Sequence, residues 1–182
     1  MIFAFPQEAH ACACCANKGQ WSQNSQQISN FEFEEINKLQ FSPVANLYQS
    51  AGDNNTGISS NSVNYTLSVG KKERVWNLLF KDKAGKTGTL SLTIPNQGVS
   101  FKTDLYAASK PTSADPQLYK ELRLEGKVTG NGIFANTITP DTKFRLVLQG
   151  RGNNCLISDD FKTWNLQVFG PKANYAFYSS FK

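Results

Sequence analysis

From residue 62 onward, apolar and polar positions alternate with a period of two. Val63, Tyr65, Leu67 and Val69 interleave with Asn64, Thr66 and Ser68, and Trp76, Leu78 and Phe80 interleave with Asn77 and Lys81; Leu79 falls on the polar side. Leu90, Leu92 and Ile94 alternate with Thr89, Ser91 and Thr93, and Val99, Phe101 and Leu105 with Ser100, Lys102 and Asp104. Successive strand side chains point to opposite faces, so this pattern predicts strands with one face buried. Short connections at Gly70-Lys71-Lys72-Glu73, Asp82-Lys83-Ala84-Gly85-Lys86 and Pro95-Asn96-Gln97-Gly98 carry turn-forming residues, which predicts an antiparallel meander.

Four further strands follow, marked by Leu122, Leu124 and Val128, by Phe144, Leu146 and Leu148, by Trp164, Leu166 and Val168, and by Tyr175 to Phe181. The expected fold is all-β: an antiparallel barrel of approximately eight strands, with a β-sandwich as the alternative. An up-and-down order favours closure, whereas a sandwich needs Greek-key crossovers. In such a meander the loops 82–88, 106–117 and 150–163 share one end, together with the chain's entry at residue 62.

The first sixty residues read differently. Gln20 to Asn30 is a polar Gln/Ser/Asn tract, and Ser29-Asn30-Phe31-Glu32 offers a capping box for a short helical segment near 30–40, stopped by Pro43. Val44 to Tyr48 reads as a strand and Ala51 to Asn61 as a loop. A single domain is expected over residues 12–182. Residues 1–11 read as an N-terminal leader or signal remnant, because Ala9-His10-Ala11 fits the pattern cut by a signal peptidase.

Only 18% of the 182 residues are charged, so Asn, Ser, Thr and Gln must make much of the wet surface. The net charge of +5 is not gathered into a patch. Lys71, Lys72 and Arg74 surround Glu73, and Lys81, Lys83 and Lys86 surround Asp82, which reads as solvated hairpin turns and argues against a nucleic-acid partner. No apolar run has the length of a transmembrane helix.

Three of the four cysteines crowd into Cys12, Cys14 and Cys15, and the fourth is Cys155. An even count in an exported chain suggests a disulfide framework. Spacing favours Cys12–Cys15 with Cys14–Cys155, because the adjacent pair would close a strained ring; a single bridge to Cys155 with two thiols left over stays open. The alternative is a thiolate site for copper or zinc built from His10, Cys12, Cys14 and Cys15, although zinc sites normally draw on two ligand knuckles.

Catalysis has little to work with. His10 is the sole histidine, and no nucleophile elbow, phosphate loop or dinucleotide fingerprint is present, so no catalytic residue and no cofactor is assigned. The carboxylate pairs Glu34/Glu35 and Asp159/Asp160 read as the wet side of a helix and the cap of a turn. A binding surface is best sought in Gln149-Gly150-Arg151-Gly152-Asn153-Asn154-Cys155, where glycines allow close approach and Arg151, Asn153 and Asn154 can hold a polar ligand. The plainer reading is a tight loop that satisfies its own carbonyls.

The stretches CACCANKGQW, LYKELRLEGKVTGNGIF and LQGRGNNC with DDFKTWNLQVFGPKANYAFY resemble a group of uncharacterised exported bacterial proteins with an N-terminal C-x-C-C cluster and a C-terminal G-R-G-N-x-C stretch. The resemblance implies an extracytoplasmic, periplasmic or secreted, location and carries no established activity. The expectation is an exported, non-enzymatic, disulfide-clamped domain that binds a ligand or cell-envelope partner through its loop face. Besides the metal-handling alternative, an assembly subunit would show a wide apolar patch, with Phe169 and Tyr178 as candidates.

Overall fold

A computed structural model describes residues 21–48, 56–103, 118–152 and 156–182. Ten strands and one α-helix are found among them, in the order β1 (Trp21–Gln27), α1 (Asn30–Lys38), β2 (Val44–Tyr48), β3 (Asn64–Lys72), β4 (Val75–Lys81), β5 (Thr87–Thr93), β6 (Gln97–Thr103), β7 (Tyr119–Gly130), β8 (Lys143–Arg151), β9 (Phe161–Gly170) and β10 (Ala173–Ser180). Two 3₁₀ turns lie at Gly132–Phe134 and Ser158–Asp160.

The fold is a closed antiparallel barrel of eight strands with two outer strands and one short helix. Strands pair in the cycle β5-β4-β3-β2-β10-β9-β8-β7, and β7 closes it by pairing with β5 through Leu90↔Gly130 and Leu92↔Val128. The alternation reads directly as inside and outside: Tyr65, Trp76, Leu78, Phe80, Leu90, Leu92, Phe144, Leu146, Trp164, Leu166 and Phe177 are buried, while Leu79 is 43% exposed. The described interior side chains pack into one core. Tyr65, Phe80, Phe134, Tyr175 and Phe177 stack and abut edge to face along one half, and Phe41, Trp76 and Trp164 fill the other.

Membership of the barrel differs from the meander expectation in one respect. The strand at 99–105 is not in the barrel, and the one at 44–48 is. β5 does not reverse at Pro95. It runs on into β6 beside the same partner, because six residues (93–98) span the stretch that four (124–127) cover on β7, between Leu92↔Val128 and Val99↔Arg123. Two extra residues leave the side-chain parity unchanged. On the other flank the neighbour changes at this point: the Ile94 N–H bonds to the Arg74 carbonyl, and the Asn96 carbonyl accepts from the Ile28 N–H. Pro95, which has no N–H to offer, sits between the two partners.

β6 therefore leaves the barrel with β1 at its side as a flap. The parity inherited from β5 sends Gly98 inward and leaves Val99 and Phe101 half-exposed on the outer face, so the predicted burial of that strand's apolar residues is reversed. β1 occupies the polar tract at 20–30, where no apolar alternation marks a strand.

Missing one reversal also moves the loops. Residues 82–86 and the entry at residue 62 lie at one end of the barrel, the turn end, with the 3₁₀ turn Gly132–Phe134. The chain enters and leaves 104–117 and the connection after Arg151 at the opposite end, the helix end, where α1 sits. The expected sharing of one end by all four does not hold.

Candidate functional site

The helix end is where ionisable side chains have been drawn inward. α1 begins as its capping box requires: Ser29 Oγ accepts from the Glu32 N–H, and the Glu32 carboxylate accepts from the Ser29 N–H at 2.9 Å. Ile36 faces the core with no exposure. At the other end of the helix the Lys71 ammonium donates to the carbonyls of Leu39 at 2.7 Å and Asn37 at 2.9 Å, and lies 4.3 Å above the Trp76 ring. A cation at a helix C-terminus satisfies carbonyls that lack intrahelical donors. The Trp76 indole N–H donates to Asn37 Oδ1 at 2.9 Å, so strand and helix are fastened twice. Burial lowers the Lys71 ammonium to about 8. A cleft of about 690 Å³ opens beside it, with Lys38, Gln40 and Lys182 on its walls.

Glu35 is buried, contrary to the expected wet face. It pairs with Lys38 and accepts from the Ser158 N–H at 3.1 Å, which docks α1 on the 3₁₀ turn Ser158–Asp160; the Lys38 contact is the main reason its carboxyl titrates below the usual range. Asp160 does not cap that turn, whose N-cap is Ile157. Its carboxylate instead pairs with Lys120, which is buried over the Phe161 ring. Burial pulls the Lys120 ammonium down while Asp160 opposes the shift.

The two glycines around Arg151 have a structural explanation. A Cβ at Gly150 would overlap the Asp160 carbonyl oxygen, and one at Gly152 would overlap the Asp160 carboxylate. The backbone they bring close is the chain's own. Arg151 itself is exposed at the end of β8. Asn153, Asn154, Cys155, His10, Cys12, Cys14 and Cys15 lie outside the described residues. Among the described residues no group of three or more His, Cys, Asp or Glu could hold a metal ion, and no helix is long and apolar enough to cross a membrane.

Register nevertheless brings the flanks of these segments together. Trp21 pairs with Thr103, Thr103 with Tyr119, and Tyr119 with Arg151, so one row across four strands carries the first strand residue after the cysteine-bearing segment and the last strand residue before Cys155.

Sequence reasoning missed Lys71 and Lys120, although the signal was present. Lys71 continues the inward row of Tyr65, Leu67 and Val69, and Lys120 that of Leu122 and Leu124; strict alternation places both inside. Of the residues expected on an apolar surface, Tyr178 is exposed beside Asn46, with Val44 and Tyr48 exposed on the same face of β2, and Phe169 is half-buried with the Arg145 guanidinium 5.5 Å away. No protein-family model, no curated protein and no solved structure matches this chain.

Proposed function

We propose that this chain is an exported, non-enzymatic recognition domain that engages a cell-envelope protein through its helix end, with the cysteine-bearing N-terminal segment clamped beside the binding loop. The observation that carries this reading is the row Trp21, Thr103, Tyr119 and Arg151. Neighbouring strands are about 4.8 Å apart, so Trp21 and Arg151 are separated by about 14 Å. Cys14 lies seven residues before Trp21 and Cys155 four after Arg151. Eleven residues of chain at about 3.3 Å each span that gap easily, and the bridge needs no rearrangement of the sheet. The favoured pairing remains Cys14–Cys155 with Cys12–Cys15. In the chain-entropy model a crosslink over so long a loop stabilises by about 4–5 kcal/mol.

A filled barrel interior supports surface recognition over carriage of a small molecule inside. The resemblance to exported proteins and the low charge density support an extracytoplasmic location. Intact mass before and after alkylation without reductant tests the clamp. A deficit of four hydrogens and no alkylation is expected; four reactive thiols with bound copper or zinc would overturn the clamp in favour of a thiolate site using His10, Cys12, Cys14 and Cys15. A photo-crosslinking residue at Arg151 in intact cells tests recognition. A discrete protein adduct is expected there and none from the same probe at Lys81, at the turn end; equal or absent labelling defeats the reading.

A further inference from the structure

A second feature lies on the outer face, where the two extra residues between β5 and β6 open a hollow of about 350 Å³. Its floor is Arg123 and Glu125 of β7, and its walls are Ser25 of β1 with Pro95, Gln97 and Val99. Arg123 stands between Val99 on β6 and Val147 on β8, its cross-strand neighbours. Its Nε is shut away from solvent and has no hydrogen-bond partner. The carboxylates that share its face are already taken. Glu121 accepts from the Tyr119 hydroxyl and from Gln149 Nε2 at 3.0 Å, and Glu125 accepts from Arg145 Nε. Among the described residues no ion pair includes Arg123.

A guanidinium Nε–H buried without an acceptor is costly to keep, since that donor loses water without gaining a partner. The polar network on this face could have neutralised it and instead directs Glu121 and Glu125 elsewhere. We propose that the hollow is a carboxylate-binding site, in which Arg123 receives the carboxylate and Ser25 and Gln97 supply further hydrogen bonds at the rim. The planar fork of donors fits a planar carboxylate. Glu125 is engaged by Arg145, and among the described residues Arg123 is the one cation lining the hollow, which suits a monoanion better than a phosphate. The carboxylate is that of a chain terminus, an acidic side chain or a small acid. This site uses other residues than the reading proposed above and does not depend on it.

The test is a titration of the full chain, labelled with nitrogen-15, with N-acetylglycine for a terminal carboxylate, N-acetylglutamate α-amide for a side-chain carboxylate, propionate for a small acid, and inorganic phosphate. Saturable shifts are expected at the Arg123 Nε–Hε resonance and at the amides of Ser25, Gln97 and Val99. Affinity should fall about tenfold or more in Arg123→Gln, as expected for loss of a charge-assisted contact. Glu125→Gln, which removes the competing negative charge, should bind several times more tightly, and it tests the site even if Arg123→Gln does not fold. Which of the three carboxylates binds best identifies the source. Absence of a saturable shift, shifts that survive Arg123→Gln unchanged, weaker binding to Glu125→Gln, or phosphate binding as tightly as the carboxylates would each overturn the assignment.

Discussion

The two ends of the barrel are sealed by opposite means. At the turn end the 3₁₀ turn Gly132–Phe134 buries Ile133 and Phe134 in the core; the Phe134 ring stacks on Tyr175 with centroids 5.7 Å apart and meets Phe80 edge to face at 5.4 Å. Gly132, with φ of 57°, is the position that permits this, because a Cβ there would overlap the Thr87 carbonyl. Its buried polar side chains serve short connections: Asp82 accepts from the Lys86 N–H of its own turn and from Ser60 Oγ of the entering chain, and Thr142 Oγ1 accepts from the Thr139 N–H. At the helix end, Lys71, Lys120, Asp160 and Glu35 hold separate segments of chain against each other. An apolar plug is strong and indifferent to pH. A charged seal positions segments, but it depends on every partner being present.

Breaking the apolar seal should have the largest effect. Phe134→Ala leaves a cavity among aromatic rings and should cost about 3–5 kcal/mol, read from urea unfolding; a loss below about 1 kcal/mol would mean that the turn is not the plug. Lys120→Met, which strands the Asp160 carboxylate, should cost about 2–3 kcal/mol, less than for a fully buried pair because the Asp160 side chain keeps 17% of its exposure. Adding Asp160→Asn should recover part of that loss, and a double variant as unstable as the sum of the singles would show that no coupling exists. Removing the helix cap with Ser29→Ala should cost about 1 kcal/mol in the same assay.

The smallest effect separates the ends by pH. The unfolded Lys71 amine titrates near 10.5 and the folded one near about 8, so between these values the unfolded state holds more protons. Stability therefore rises with pH across that window in the native chain, relative to Lys71→Met. Once the remaining solvent contact of this half-buried group is allowed for, the change should be under about 1 kcal/mol. Comparing urea midpoints of the two proteins at pH 7.5 and pH 10 checks it, and a constant difference would show that Lys71 is not desolvated. Phe134→Ala should show no such dependence.

Much of this organisation is legible along the chain. The faces of the barrel strands and the Ser29–Glu32 capping box follow from local pattern, because pleat and capping geometry act over two to four residues. β1 was invisible because Ser25, Gln26 and Gln27 bury little and leave no period to detect. The inward lysines were marked by parity, yet charge disguised them as turn residues. Arg123 could not have been singled out, since its isolation depends on which donors its neighbours Glu121 and Glu125 find, Gln149 and Arg145 on β8 among them.

By itself the sequence determined which face of the barrel strands turns inward and where the helix starts, for these are consequences of alternation and of side chains that reach their own backbone. Tertiary structure alone decided that β5 continues into β6, that β2 replaces β6 in the barrel, and that residues 21 and 151 share a row. Strands pair through backbone groups common to every residue, so the identity and register of a neighbour are chosen by closure and packing of the whole.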